Sequence, residues 1–194
     1  MLRFGNIELK YGLFLAPLAG YTDMAMRTVA RAHGAEMTVS EMVSARALCY
    51  GDKKTPALAR ILADELPAAV QIFGSEPEFM AEGARIVARG MEGGVPPSAI
   101  DINMGCPVKK IVSAGDGSAL MKNPALVYDI VKAVVGAVSL PVTVKIRAGW
   151  DDRHRNAVEI ALAAEEAGAA LVAVHGRTKT QMYSGQASLD IIAN

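Results

Sequence analysis

Residues 99–107 read Ala99-Ile-Asp101-Ile-Asn103-Met-Gly105-Cys106-Pro107, and the reading of this stretch decides the fold. Its first half, Ala99–Asn103, is a short apolar run of the kind that forms a buried strand. The run ends in Asp101 and Asn103, after which Gly105 is expected to permit a tight turn that presents Cys106 beside Pro107. Strands that are apolar along their length and polar or reactive at the C-terminal tip recur on either side. Leu13–Ala16, Met37–Ser40, Ala68–Phe73, Val142–Ile146 and Leu171–His175 are the other candidates. Their tips carry Ala16-Pro17, Ser40-Glu41, Gln71, Lys145 with Arg147, and His175 with Arg177.

Between these runs, apolar residues fall at three- and four-residue spacing over Met24–His33, Pro77–Arg89, Pro124–Val138 and Asn156–Ala167, which predicts helices. Ser75 before Glu76-Pro77 and Asn123 before Pro124 supply N-terminal signals, and Gly168 supplies a stop. Arg46–Leu66 reads as helical in part. Strand–helix alternation at this rhythm implies a parallel sheet with helical crossovers, either open and doubly wound or closed into a barrel. No GxGxxG follows the first strand, which weakens the dinucleotide-binding form of the open sheet. One site assembled from many strand tips is the habit of the barrel. The expected class is therefore α/β, a (β/α)8 TIM barrel. About six units are present, the last breaking off at Leu189–Asn194, whereas a whole barrel needs roughly 250 residues. The chain reads as an incomplete barrel, truncated before its last strands.

Bulk composition fits one soluble domain: 194 residues, 52% hydrophobic and 21% charged. Net charge is zero, so any nucleic-acid contact must come from local clusters of Lys and Arg. Cys49 and Cys106 form no CxxC pair, which argues against a disulfide scaffold or a zinc site, and no metal is expected. The N-terminus lacks the order of a signal peptide and no apolar run approaches a membrane span, so a cytoplasmic protein without membrane partners is expected. Oligomeric state is not encoded in any of these features.

Several residues admit both a chemical and a structural reading. A thiol with an ordinary pKa near 8.5 is protonated at neutral pH and can act as a general acid, so Cys106 is either a proton donor or a half-buried packing residue. Lys145 either faces an anionic or hydrogen-bonding partner in the barrel mouth or snorkels at a strand end. Gln71 is a ligand or a satisfied core amide. His175 is placed to bond a cofactor ring or phosphate, with Gly176 allowing close backbone approach. Lys109, Lys110, Arg147, Arg177 and Lys179 all follow strand ends and gather on one face. They either position phosphates or, with Asp151 and Asp152, form a solvated mixed-charge rim. His33, His154 and Cys49 carry no assigned role.

Seven motifs in register resemble the tRNA-dihydrouridine synthase family across essentially the whole chain. These are Ala16-Pro-Leu-Ala-Gly-Tyr-Thr-Asp23, Ser40-Glu-Met42, Gln71-Ile-Phe-Gly74, Asp101 to Pro107 with Lys109-Lys110, Gly115 to Leu120, Val144 to Trp150, and His175-Gly-Arg-Thr178 with Tyr183-Ser-Gly185. The resemblance implies an FMN enzyme, reduced by NADPH, that converts uridine in tRNA to dihydrouridine. It further implies hydride transfer from flavin N5 to uracil C6 and proton transfer from Cys106 to C5. By the same resemblance Ala16, Pro17, Leu18, Gln71, Lys145 and His175 contact FMN, and Asn103 and Arg177 line the flavin–uracil site. The basic residues would hold tRNA, with the target base flipped out. The family's last two strands and its helical tRNA-binding domain have no counterpart in residues 1–194, so weak FMN binding and open strand edges are expected of this chain alone. Two other readings stay open: an FMN barrel oxidoreductase acting on a free pyrimidine, and an inactive fragment.

Overall fold

The computed structural model describes all 194 residues. A hairpin comes first, β1 (Leu2–Phe4) and β2 (Ile7–Leu9), followed by β3 (Phe14–Leu15), α1 (Met24–Ala32), β4 (Met37–Val39) and β5 (Val43–Ser44). Three short turns, α2 (Ala45–Cys49), α3 (Thr55–Leu58) and a 3-10 turn (Ala63–Glu65), lead into β6 (Ala68–Phe73) and α4 (Pro77–Ala88). Then come β7 (Ala99–Met104), α5 (Lys109–Ser113), a second 3-10 turn (Gly117–Lys122) and α6 (Pro124–Ala137). The chain ends with β8 (Val142–Arg147), α7 (Ala157–Glu166), β9 (Leu171–His175) and α8 (Asp190–Ala193).

All six expected strands and all four expected helices are present, within about two residues at each end. The helix signals divide. Asn123 caps α6 by accepting from the Leu126 N–H, whereas Glu76, not Ser75, is the cap residue of α4 and makes no side-chain capping bond. The opening hairpin and β5 are additional to the expected elements. The hairpin's signal was the Gly5-Asn6 pair between two short alternating runs, a combination suited to a two-residue turn.

The main sheet is wholly parallel, in the order β3-β4-β6-β7-β8-β9, with β5 pairing β6 as a continuation of the β4 line. Each strand pairs with the next in the chain and the order never reverses. A doubly wound sheet has a switch point where it does. Sequential order is that of a barrel, and the sheet curls into a half-barrel of six strands.

Two-residue alternation sends side chains to opposite faces of each strand. Outward go Val70, Ile72, Ile100, Ile102, Met104, Val142, Val144 and Ile146, all buried against α4, α6 and α7. Burying one such side chain contributes about 1.5–3 kcal/mol. Inward, the lowest level is apolar as well: Ala69 and Ala99 meet Phe4, Ile7 and Leu9 of the hairpin, with Met37 and Val39. The hairpin thus seals the floor. Gly5 makes this seal possible, since a Cβ there would lie 2.5 Å from Pro141 Cγ. The outer strands are less covered: no residue of β3 or β9 is fully buried, and Val158, Leu162 and Ile192 beside β9 are exposed. No helix is long and apolar enough to cross a membrane.

A buried ion pair fixes α1 to the turn before β6. Arg27 donates through Nε and Nη2 to the Glu65 carboxylate, and also to the carbonyls of Thr22 (3.0 Å) and Arg60 (2.8 Å). Glu65 in turn accepts from the Leu62 N–H. Arg27→Ala leaves that carboxylate buried and uncompensated, and we expect it to lower the unfolding free energy by about 3–5 kcal/mol in urea titration. Glu65→Leu combined with Arg27→Met should recover most of the loss.

Candidate active site at the strand tips

Above the sealed floor the inward face turns polar. Parallel pairing sets Gln71 beside Asp101 and Asp101 beside Thr143, then Asn103 beside Lys145, then Arg147 beside His175. Successive levels of one barrel interior therefore carry a continuous polar lining that runs up to the open end.

The lining is hydrogen-bonded in a fixed direction. The Thr143 hydroxyl donates to Asp101 Oδ1. Gln71 Nε2 donates to Asp101 Oδ2 (2.6 Å). Asn103 Nδ2 donates to Gln71 Oε1 (2.9 Å). The backbone N–H groups of Gly105 and Cys106 donate to Asn103 Oδ1 at 3.2 and 3.0 Å. Burial pushes the Asp101 carboxyl up to about 6, against the opposing pull of its Thr143 and Gln71 hydrogen bonds and of Lys145. At neutral pH it is still mostly a carboxylate and can only accept.

Cys106 is held from both sides of its backbone. Its N–H bonds Asn103, and its carbonyl accepts from the Ser118 N–H (3.0 Å) and hydroxyl (2.9 Å). Gly117 makes the second contact possible, with φ +59° and no room for a Cβ, which would lie 2.8 Å from that carbonyl oxygen. Gly105 does not have the expected role, since its φ lies outside the left-handed region and its turn is imposed by the Asn103 bonds. The thiol is half-buried. Burial pushes its pKa up, with the Val108 N–H and Arg147 pulling the other way, so it keeps its proton at neutral pH.

The cations divide into two groups. Lys145 projects into the lining with no hydrogen bond or ion pair on its ammonium, and burial lowers its pKa against the pull of Asp101. Arg147, expected on an outer basic rim, is instead 3% exposed. Its Nε donates to the Gly105 carbonyl (2.7 Å), and its Nη1 donates to the carbonyls of Thr178 (3.1 Å) and Met182 (2.8 Å). It brackets the Cys106 turn to the loop after β9. Arg177 makes a second bracket, donating to the carbonyls of Ser184 and Gly185 and to His175 Nε2 (3.2 Å). Arginine has only donors. The His175 Nε2 must therefore accept, which leaves the ring proton on Nδ1. Burial first, then Arg147, Lys145 and Arg177, press the His175 pKa down to about 4. Lys179 lies 4.6 Å from the Trp150 ring centre, with Lys122 3.3 Å from the same ring. Lys109 and Lys110 are exposed at the start of α5, directly past the Cys106 turn.

Ala16, Pro17 and Leu18 form the open tip beyond β3, Leu18 being 48% exposed. Their loop is tied to the tip of β4 by the Gly20 N–H, which donates to the Glu41 carboxylate. Gly176 does not face a ligand as expected, because the Ser188 backbone fills that space (Cβ to Ser188 oxygen 2.4 Å). Asp101 and Thr143 were missed as members of the site. The parity of Asp101 with Asn103, and of Thr143 with Lys145 and Arg147, was the available signal.

Comparison with known proteins gives one answer. A family model described as "Dihydrouridine synthase (Dus)" matches residues 14–194. "Probable tRNA-dihydrouridine synthase" of Rickettsia conorii is 44% identical over 193 residues, covering 99% of this chain and 57% of that protein. The Treponema pallidum protein of the same description is 45% identical over 198 residues, covering 100% and 57% respectively. "tRNA-dihydrouridine synthase B" of Shewanella oneidensis is 46% identical over 192 residues, covering 98% and 58%. The chain thus spans a little over half the length of these relatives.

The bonding of His175 makes a measurable demand. Its folded pKa near 4 lies below the ordinary 6.5. Between those values the unfolded chain binds more protons, so the residue's contribution to stability is complete above pH 6.5 and declines as pH falls towards 4. Long-range 1H–15N spectra should show a neutral imidazole with the proton on Nδ1 from pH 8 down to pH 5. A midpoint near 6.5 would place the ring away from the three cations.

Proposed function

This chain belongs to the dihydrouridine synthase family, and from that premise we propose that it forms the flavin-facing part of an FMN- and NADPH-dependent enzyme that reduces uridine in tRNA. One observation carries the reading: Gln71, Asn103, Lys145 and His175 share the inward face above a closed floor, with Cys106 clamped at its rim. Their unused groups all ask for acceptors. Lys145 keeps a free ammonium, Gln71 and Asn103 each retain an N–H, and His175 offers Nδ1–H.

That donor set suits the carbonyl-rich edge of a flavin, which becomes more negative on reduction. Gln71, Lys145 and His175 would hold it, with Ala16, Pro17 and Leu18 closing the near side. Bound there and reduced by NADPH, FMN would supply the hydride chemistry towards C6 of a uracil. The rest is the work of the protein. Cys106, protonated at neutral pH, gives its proton to C5 as the C5–C6 double bond is reduced. Asn103 donates an N–H to a carbonyl of the base. Lys109, Lys110, Arg177 and Lys179 set positive charge around the opening, where phosphates of a strand with its base turned out would lie. Arg147 acts one step back, keeping the Cys106 turn and the 178–182 loop in register.

The test is genetic and chemical. Deleting the gene that encodes this chain should remove dihydrouridine from tRNA, and the intact gene should restore it. Cys106→Ala should retain flavin and lose the modification by about 10²–10⁴-fold, the usual size of a general-acid contribution. Restoration at the normal level by Cys106→Ala would remove Cys106 from the chemistry. Oxidation of the reduced enzyme by free uridine as readily as by unmodified tRNA would shift the substrate to a free pyrimidine.

A further inference from the structure

Five hydrogen bonds join the depth of the site to its rim, running Thr143–Asp101–Gln71–Asn103 and ending on the N–H groups of Gly105 and Cys106. The two amides in the middle are nearly symmetric in shape, and shape alone lets either one turn over. Chemistry at the two ends forbids it. Asp101 offers acceptors only, so Gln71 must face it with Nε2 and present Oε1 to Asn103. The backbone N–H groups donate only, so Asn103 must face them with Oδ1. Both ends demand the same direction, and each amide has its oxygen and one N–H bonded within the chain of contacts.

We infer that Asp101 is the positioning residue for Cys106: by orienting the Gln71 amide it orients Asn103, whose oxygen holds the backbone of the thiol's turn. The inference rests on the proposed role of Cys106. Asp101 and Asn103 are the only side chains bonded to the Gln71 amide, because Ser40 accepts only from its backbone N–H. Without an acceptor at position 101 that amide is held in its direction by the single Asn103 bond and turns more readily. Turned, it sets its N–H against the N–H of Asn103, donor against donor, and Asn103 loses its hold on the turn. A competing role, direct counter-ion to Lys145, finds no support in distance, since no ion pair joins the two within 4.0 Å. Asp101 nonetheless influences Lys145 through space, so the test must separate charge from geometry.

Iodoacetamide labelling of Cys106 followed by mass spectrometry makes that separation, with Cys49→Ser as the background and neither flavin nor tRNA required. Asp101→Asn removes the charge yet keeps an acceptor towards Gln71, with the Thr143 hydroxyl reversing to accept. Asp101→Leu removes both. Release of the turn exposes the half-buried thiol and relieves the burial that raises its pKa. Labelling at pH 8 should therefore be about tenfold faster in Asp101→Leu and within about threefold of the parent in Asp101→Asn. Equal acceleration in both variants would mean that charge, not orientation, is transmitted, and no acceleration in Asp101→Leu would mean no coupling. Either result overturns the inference. Should Asp101→Leu not fold, Asp101→Ala repeats the test, removing charge and acceptor together without the bulk of leucine. Labelling should then again be about tenfold faster than in the parent, and a rate equal to that of Asp101→Asn overturns the inference. The expected labelling without dihydrouridine formation by the flavin-loaded protein would sink the functional reading and leave the positioning role standing. A wild-type rate of dihydrouridine formation by Asp101→Leu would do the reverse.

Discussion

A carboxylate that can only accept, buried beneath two backbone N–H groups that can only donate, is the constraint on which the site depends. Between Asp101 and the Cys106 turn lie two side-chain amides, and they can satisfy both ends in one orientation only. Inside a protein, an unsatisfied polar group costs about 1–3 kcal/mol. Four such residues on neighbouring strands therefore act as one unit, joining β6, β7 and β8 at the level where the reactive groups begin. The thiol inherits its position from that unit and from the Gly117-Ser118 turn that grips its carbonyl.

The barrel makes this possible by differing at its two ends. At the floor the inward residues are alanines covered by the apolar face of the hairpin. Towards the opening they are Gln, Asp, Asn, Thr, Lys and Arg. Parallel strands present the same end of every strand to one side, so polarity accumulates where the loops are and nowhere else. The two arginines expected to reach outward are turned back into the protein, where they hold carbonyl oxygens of the turns that frame the opening. Arg147 is buried in doing so, and positive charge at the rim comes from Lys109, Lys110, the partly exposed Arg177 and Lys179, the last shared with the Trp150 ring. The outer strands β3 and β9 each pair on one side only, leaving the half-barrel open along those two edges.

Much of this was legible from residue order. Apolar runs of four to six residues with polar tips predict β6, β7, β8 and β9 because a strand covered on both faces needs apolar residues throughout, while its exit from the sheet does not. Helical spacing predicts α1, α4, α6 and α7, and the Asn123 cap, since these depend on neighbours three and four residues apart. The hairpin escaped because its strands are three residues long. The task expected of Gly105 belongs to Gly117, twelve residues onward, because a turn's conformation also answers to what packs against it.

Local chemistry, then, determined the elements, their parallel alternation and the identity of the groups at each strand tip. Register decided the rest. Whether Gln71 meets Asp101, whether Arg147 points to solvent or to the Gly105 carbonyl, and whether Asn103 finds the Gln71 amide are all relations between residues 30 or more apart in the chain. No residue encodes such a relation alone. It exists only once the curled sheet brings successive strands side by side and the hydrogen-bonding demands of buried groups select one arrangement.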